Sequence, residues 1–215
     1  MRPLILASNS PRRNELLRLI RLPFEVFPAN ITEIRKPGEP PVDYVLRLAQ
    51  HKAAAIADAR AGLVIAADTT VADGNEVLEK PADPADARRM LQQLRGRRHH
   101  VYTGIALIDT HSGRSYDSVC HTEVPMRNYS NAELTAYIGT GDPMDKAGAY
   151  GIQHPGFHPV EELQGCFASV MGLPLCHLLV GLRTLDIMVP DGVPERCQSY
   201  LNYDCPVYEK ILGEN

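Results

Sequence analysis

Pro3-Leu4-Ile5-Leu6-Ala7-Ser8-Asn9-Ser10-Pro11-Arg12-Arg13 begins as an apolar run and turns polar within a few residues. Pro3 to Ala7 reads as a short buried strand. Ser10 then offers an N-cap oxygen, and Pro11 falls at the first helical position, where its missing N–H costs nothing. Leu16, Leu17 and Ile20 follow at helical spacing, so a helix runs from about Pro11 to Arg21. Arg12 and Arg13 disturb a purely structural reading. The helix macrodipole is positive there, and each cation costs roughly 0.3–1 kcal/mol unless an anion sits opposite. Free helix N–H groups, two serines and two guanidiniums describe a phosphate site at a strand-to-helix turn. A solvated arginine pair on an ordinary first turn is the alternative.

Working outward, Phe24 to Pro28 alternates as a second strand, and Asn30 to Pro41 is a loop rich in charge and proline. Pro41 opens a helix through about Ala59 with the stripe Val45, Leu48, Ala49 and Ile56. Lys52 falls on that stripe. It either snorkels its amine outward, the commoner outcome, or points it into a cleft beside the core. Leu63 to Ala67 is a continuous apolar run, as expected of a strand buried on both faces. It ends abruptly in Asp68-Thr69-Thr70, and the C-terminal end of a central strand is where open α/β sheets place their ligands. Asp73-Gly74 reads as a hairpin turn returning through Glu76-Val77-Leu78, which brings Lys80 beside the Asp68 end. An Asp68–Lys80 ion pair would either close the hairpin or belong to a reaction site.

Asp83-Pro84 caps a further helix with the stripe Ala87, Met90, Leu91 and Leu94, stopped by Gly96. Val101 to Ile108 and Ser115 to Met126 read as paired strands, and Ser130-x-x-Glu133 as a capping box. Glycines at 141, 148 and 151 make the stretch from Gly141 to Gln153 a tight loop returning to a strand. Leu175, Leu178, Leu179 and Leu182 share one face of a last helix. Beyond Asp186 the chain turns polar and reads as an extension outside the core. The expected organisation is a domain over 1–186 and an extension over 187–215.

The 215 residues carry a net charge of −4, which hides an asymmetry: residues 1–100 sum to +4 and residues 101–215 to −8. The basic residues recur singly at element ends, which suits a compact anionic ligand and not a nucleic-acid backbone. No run approaches the ~18 apolar residues of a membrane span, and no apolar core follows a basic leader. Five cysteines without C-x-x-C spacing are expected to be reduced thiols, and the expected location is the cytoplasm. His154 and His158 are four apart, but Pro155, Gly156 and Pro159 forbid the helix that such a metal pair needs. His99 and His100 point to opposite faces of a strand. Phosphate-loop, dinucleotide-fold and serine-hydrolase motifs are absent.

Several motifs together resemble the Maf family of nucleoside triphosphate pyrophosphatases. They are Ser8-x-Ser10-Pro11-Arg12-Arg13-x-Glu15-Leu16-Leu17, Ala67-Asp68-Thr69, Lys80-Pro81, Gly96-Arg97-x-His99-x-Val101-x-Thr103-Gly104, Asp145 through Gln153, and Gly172-Leu173-Pro174. They run in order from about Leu4 to Asp186. The resemblance implies an α/β fold of two lobes around a cleft, akin to inosine triphosphate pyrophosphatases, with a mixed central sheet and flanking helices. It implies hydrolysis of a nucleoside triphosphate to the monophosphate and pyrophosphate with a divalent cation (Mg2+, Mn2+ or Co2+), and it allows a homodimer. The position matching Asp68 is the family's proton acceptor, and those matching Arg12, Thr69 and Gln153 are linked to substrate choice. Tyr150-Gly151-Ile152-Gln153 resembles the branch acting on dTTP and UTP; the branch for 7-methyl-GTP tends to carry glutamate at the last position. His154-Pro155, Gly165 to Val170 and residues 187–215 depart from the family pattern.

The chemistry asks for such residues. Attack of water on an α-phosphorus builds charge on the phosphoryl oxygens and on departing pyrophosphate. Arg12, Arg13 and the helix N-terminus, flanked by Ser8, would clamp a triphosphate together with Lys52 and Lys80. Asp68 would deprotonate water or hold the metal, with Glu33, in a loop expected to be mobile, as second carboxylate. Gln153 carries the donor and acceptor that match O4 and N3–H of uracil or thymine, provided that neighbours such as Tyr150 and Gly151 fix its orientation; otherwise it caps its loop. A nucleotide-sensing protein of septum control and a phosphomonoester phosphatase are the competing readings.

Overall fold

A computed structural model describes residues 3–213 of the chain. Strand β1 (Leu4–Leu6) feeds helix α1 (Pro11–Arg18), then β2 (Phe24–Val26) and α2 (Pro41–Ala57). Next come β3 (Leu63–Asp73), β4 (Glu76–Leu78), α3 (Pro84–Leu94), β5 (Arg98–Asp109) and β6 (Ser115–Pro125). Helices α4 (Asn131–Gly139), α5 (Phe167–Met171), α6 (Leu175–Thr184), α7 (Val193–Leu201) and α8 (Tyr208–Leu212) complete the set. The sheet is mixed, in the order β2-β1-β3-β5-β6, with β1 parallel to both neighbours and β3, β5 and β6 antiparallel. Among the described residues no helix is long and apolar enough to cross a membrane.

The β3 run is apolar on both sides because both sides are covered. Val64 and Ala66 face α2 with Ile5, Ala7 and Ala106, whereas Leu63, Ile65 and Ala67 face the larger cluster that includes α1, α3 and α6. The α2 face is built from small residues, so the helix lies close on the sheet. A Cβ at Gly104 would meet the Val45 carbonyl oxygen at 2.8 Å, which accounts for a glycine inside β5.

One edge of β3 is shared by two partners. β1 pairs with it as far as Leu6↔Ile65, and β4 begins only at Val71↔Leu78. Between Ile65 and Val71 that edge has no strand beside it among the described residues, and the turn into α1 and the loops around Asp145 to Gln153 and Gly172 line the opening.

Two expectations change here. Among the described residues the loop after Gly141 does not return to a strand: Asp142–Asp145 and Ala147–Ala149 are 3-10 turns, and the pairing that follows is the single bridge Met126↔Val160. Prolines at 143, 155 and 159 and left-handed backbone at Gly141, Gly148 and Ala149 prevent a ladder. Side chains satisfy the backbone instead, as where the Gly151 N–H donates to the Tyr137 hydroxyl at 2.9 Å. Nor does the chain beyond Asp186 stay outside the core. Val193 is 1% exposed and belongs to the main cluster, and Arg196 Nε donates to the Leu19 carbonyl at 2.7 Å. The polar composition of this stretch is that of the outer face of a surface helix.

Candidate active site

Strand alternation sorts the site. Asp68 follows Val64 and Ala66 onto the α2 side, and Thr69 follows Ala67 onto the opposite one. Both line a cleft of about 430 Å3 at the open edge of β3. Ser8, Arg12, Arg13, Glu33, Lys52, Lys80 and Gln153 line the same cleft. The nine residues singled out in the sequence are therefore brought together.

Lys52 does not snorkel. Because α2 lies so close on the sheet, its amine stays buried, with Nζ 2.6 Å from Asp68 Oδ1 and 2.6 Å from Glu33 Oε1. The pair expected between Asp68 and Lys80 is thus an Asp68–Lys52 pair. Lys80 lies beyond the last β4 pairing and reaches the cleft exposed. Burial pushes the Asp68 carboxyl above its ordinary value, against the opposing pull of Lys52 and Arg13. Glu33 sits on the loop before α2, to which side chains of that helix are hydrogen-bonded. Arg47 Nε and Nη2 each donate to a Glu39 carboxylate oxygen at 2.6 Å, and the Tyr44 hydroxyl reaches the Glu33 carbonyl at 3.3 Å. Two carboxylates thus converge on one cationic point, and hard oxygen donors of this kind also suit a divalent ion. Among the described residues no third Asp, Glu, His or Cys joins them as a metal cluster.

On the other side, Ser10 caps α1 by accepting from the Arg13 N–H at 3.4 Å. The Arg13 guanidinium folds back, and each of its three nitrogens donates once to the protein, which leaves two of its five N–H groups over. Nε donates to the Gly172 carbonyl at 2.9 Å, Nη1 to Ser8 Oγ at 3.2 Å and Nη2 to Thr69 Oγ1 at 3.2 Å. Thr69 Oγ1 lies 3.0 Å from Thr103 Oγ1, which donates to the Ser169 carbonyl at 2.8 Å. Gly172 has a φ of +107°, and a Cβ there would stand 3.2 Å from both Arg13 Nε and Thr69 Oγ1. Glycine is needed twice over, for conformation and for room. Arg12 remains at the cleft, 3.8 Å from Asp145 Oδ2.

Sequence reasoning quoted Lys146 inside a motif but gave it no place in the site. It is buried at the cleft wall, and Nζ lies 2.6 Å from the Asp142 carbonyl, 2.9 Å from Asp142 Oδ1 and 2.7 Å from Asp145 Oδ1. The signal was there in Gly151, whose absent side chain leaves room for it: a Cβ would meet Lys146 Cε at 2.9 Å. Tyr150 does not orient Gln153. Its hydroxyl lies 2.8 Å from His99 Nε2, both rings being buried. The Gln153 side chain is exposed at the rim and makes no hydrogen bond among the described residues, so it caps nothing. His99 and His100 do lie on opposite faces, the one buried and the other 2.9 Å from His121 Nε2 at the surface.

His99 carries a pH signature. Burial pushes its pKa down to about 3, whereas an unfolded histidine titrates near ~6.5. Between those values the unfolded chain binds the extra proton, so stability falls as pH drops, by up to about 1.4 kcal/mol per pH unit. His99→Phe is expected to flatten that slope between about pH 6 and 4. Urea denaturation at several pH values reads it, and an unchanged slope would contradict the assignment.

The family model described as "Maf-like protein" matches residues 3–185. A dTTP/UTP pyrophosphatase of Anaeromyxobacter dehalogenans is 48% identical over 189 residues, covering 87% of this chain and 96% of that protein. One of Dehalococcoides mccartyi is 40% identical over 214 residues, covering 94% and 95%. Among solved structures, the Staphylococcus aureus Ham1 protein aligns with a TM-score of 0.45 at 16% identity, over 59% of this chain and 72% of that one. With the family model spanning most of its length and such relatives across nearly all of it, the chain belongs to the Maf-like protein family.

Proposed function

We propose that the chain is a nucleoside triphosphate pyrophosphatase that cleaves dTTP and UTP to the monophosphate and pyrophosphate. The observation that carries this reading is a buried carboxylate, Asp68, in a cleft whose lining gathers Arg12, Arg13, Lys52, Lys80 and Lys146 against only two further carboxylates, Glu33 and Asp145. The names of the relatives support the substrate pair. The cations hold a triphosphate and stabilise the charge that builds on it as the α–β bond breaks. Asp68 takes the proton from the attacking water, and a carboxyl raised by burial is better matched to that task at neutral pH than an ordinary one. Asp68 and Glu33 would hold a divalent cation when one is bound, whose chemistry there is neutralisation of phosphate charge. Gln153, free at the rim, donates to O4 and accepts from N3–H of the base.

A nucleotide panel assayed for pyrophosphate against orthophosphate tests this. Pyrophosphate from UTP and dTTP is expected, at a kcat/KM at least roughly tenfold above CTP and purine nucleotides. Orthophosphate release, or binding without turnover, would overturn it. Gln153→Glu should erode the base preference, since a carboxylate cannot donate to O4; an unchanged preference would remove Gln153 from base reading. Lys80→Ala or Arg12→Ala should weaken UTP far more than UMP, and equal losses would show that these cations do not hold the phosphate tail.

A further inference from the structure

A second cavity, of about 740 Å3, adjoins the cleft, and Ile152, Gln153 and Met171 line both. Its apolar floor includes Leu163 and Phe167, and its far wall is Tyr200 to Tyr203 at the end of α7. The wall is fixed in place. The Tyr200 hydroxyl donates to Glu15 Oε2 at 2.9 Å, and that of Tyr203 lies 3.0 Å from the Leu163 carbonyl and 2.8 Å from that of Gly165. His158, Glu162 and Asn202, with left-handed φ of 44°, 51° and 47°, all line this cavity. Asn202 is the left-handed C-cap that ends α7, and the bends at His158 and Glu162 turn the chain along the opposite side.

Charge divides the two spaces. The cleft holds five lysines and arginines, whereas no lysine or arginine lines the second cavity, whose rim carries Glu15, Glu161 and Glu162 beside His158. A triphosphate tail is drawn to the first and repelled by the second. Whatever enters the second cavity therefore comes from the base end of the substrate. On the reading above, Gln153 meets O4 of the pyrimidine, and C5 is bonded to the carbon that bears O4. An arm on C5 starts at the residue common to both spaces.

We propose that the second cavity receives a C5 arm of the base, and that the enzyme takes uridine and deoxyuridine triphosphates whose C5 arm ends in a primary amine. The arm crosses Met171 and Phe167, and the ammonium meets the carboxylates of the rim. This rests on the base-reading role of Gln153. The cavity wall on α7 lies beyond residues 3–185, so the segment after Asp186 would set which enlarged bases are admitted.

The test compares pyrophosphate release from UTP, 5-(3-aminoallyl)-UTP and a UTP whose C5 arm of the same length ends in a carboxylate. The amine arm is expected to exceed the carboxylate arm at least tenfold in kcat/KM. Glu161→Gln with Glu162→Gln should collapse that ratio, and the ratio is unaffected by any general loss of activity. Leu201→Trp, which fills the cavity from α7, should raise KM for the amine arm at least tenfold relative to UTP. Two arms of equal efficiency, or a ratio unmoved by these variants, would overturn the proposal while UTP cleavage stands. Absence of UTP cleavage would overturn the proposed function itself.

Discussion

Asp68→Asn is expected to lower kcat for UTP by about a thousandfold or more while changing the nucleotide's Kd less than about tenfold. Positioned proton transfer contributes roughly 10²–10⁴-fold, and asparagine is near in shape but cannot take the proton. The clamp survives, because Arg12, Arg13 and Lys146 make their contacts without Asp68 and Lys80 reaches the cleft exposed. A loss confined to kcat marks an interaction made in the transition state, whereas a loss confined to Kd would mark mere charge balance. Single-turnover kinetics beside equilibrium binding separates the two. Near-normal turnover in a folded Asp68→Asn protein would sink the assignment.

Lys52→Met should cost about 3–5 kcal/mol of stability, the penalty of stranding a buried charge whose partner is removed. Lys52 and Asp68 are both buried, and their 2.6 Å contact carries most of the compensation. The loss should shrink at low pH, where the stranded carboxyl binds a proton and its charge disappears. Adding Asp68→Asn to Lys52→Met should return a large part of the stability, since the residues are in contact and their effects do not add. Denaturant titration of the four proteins closes that cycle, and simple additivity would deny the pair its weight.

Much of this was legible in the chain. The strand-to-helix turn, the long apolar strand ending in Asp68 and the hairpin behind it follow from local chemistry, which acts within a few residues. The partner of Asp68 was not legible. Spacing places Lys52 on the buried stripe of α2 but says nothing of how near α2 comes to the sheet. That distance is set by Gly104 and the alanines on both sides, far away in sequence. Lys146 was missed for a related reason: its three oxygen partners lie on a loop whose 3-10 turns are fixed by prolines and positive φ, not by any period. The α7 segment looked dispensable because its composition is polar, yet Val193 and Pro194 are buried and Arg196, Tyr200 and Tyr203 tie it to the core by hydrogen bonds.

The contacts running from Arg13 through Thr69 and Thr103 to the Ser169 carbonyl have a direction. A guanidinium can only donate and a carbonyl can only accept, so the two ends fix every proton between them. Thr103 gives its proton to Ser169, which obliges Thr69 to give its own to Thr103. Thr69 has then no hydroxyl proton left for a visitor and offers only a lone pair, as Arg13 already points a donor at it. An N–H or a hydroxyl of the substrate finds a partner there. A phosphate oxygen finds no donor in the Thr69 hydroxyl, so on this wall the donor left to it is the neighbouring guanidinium and not the threonine.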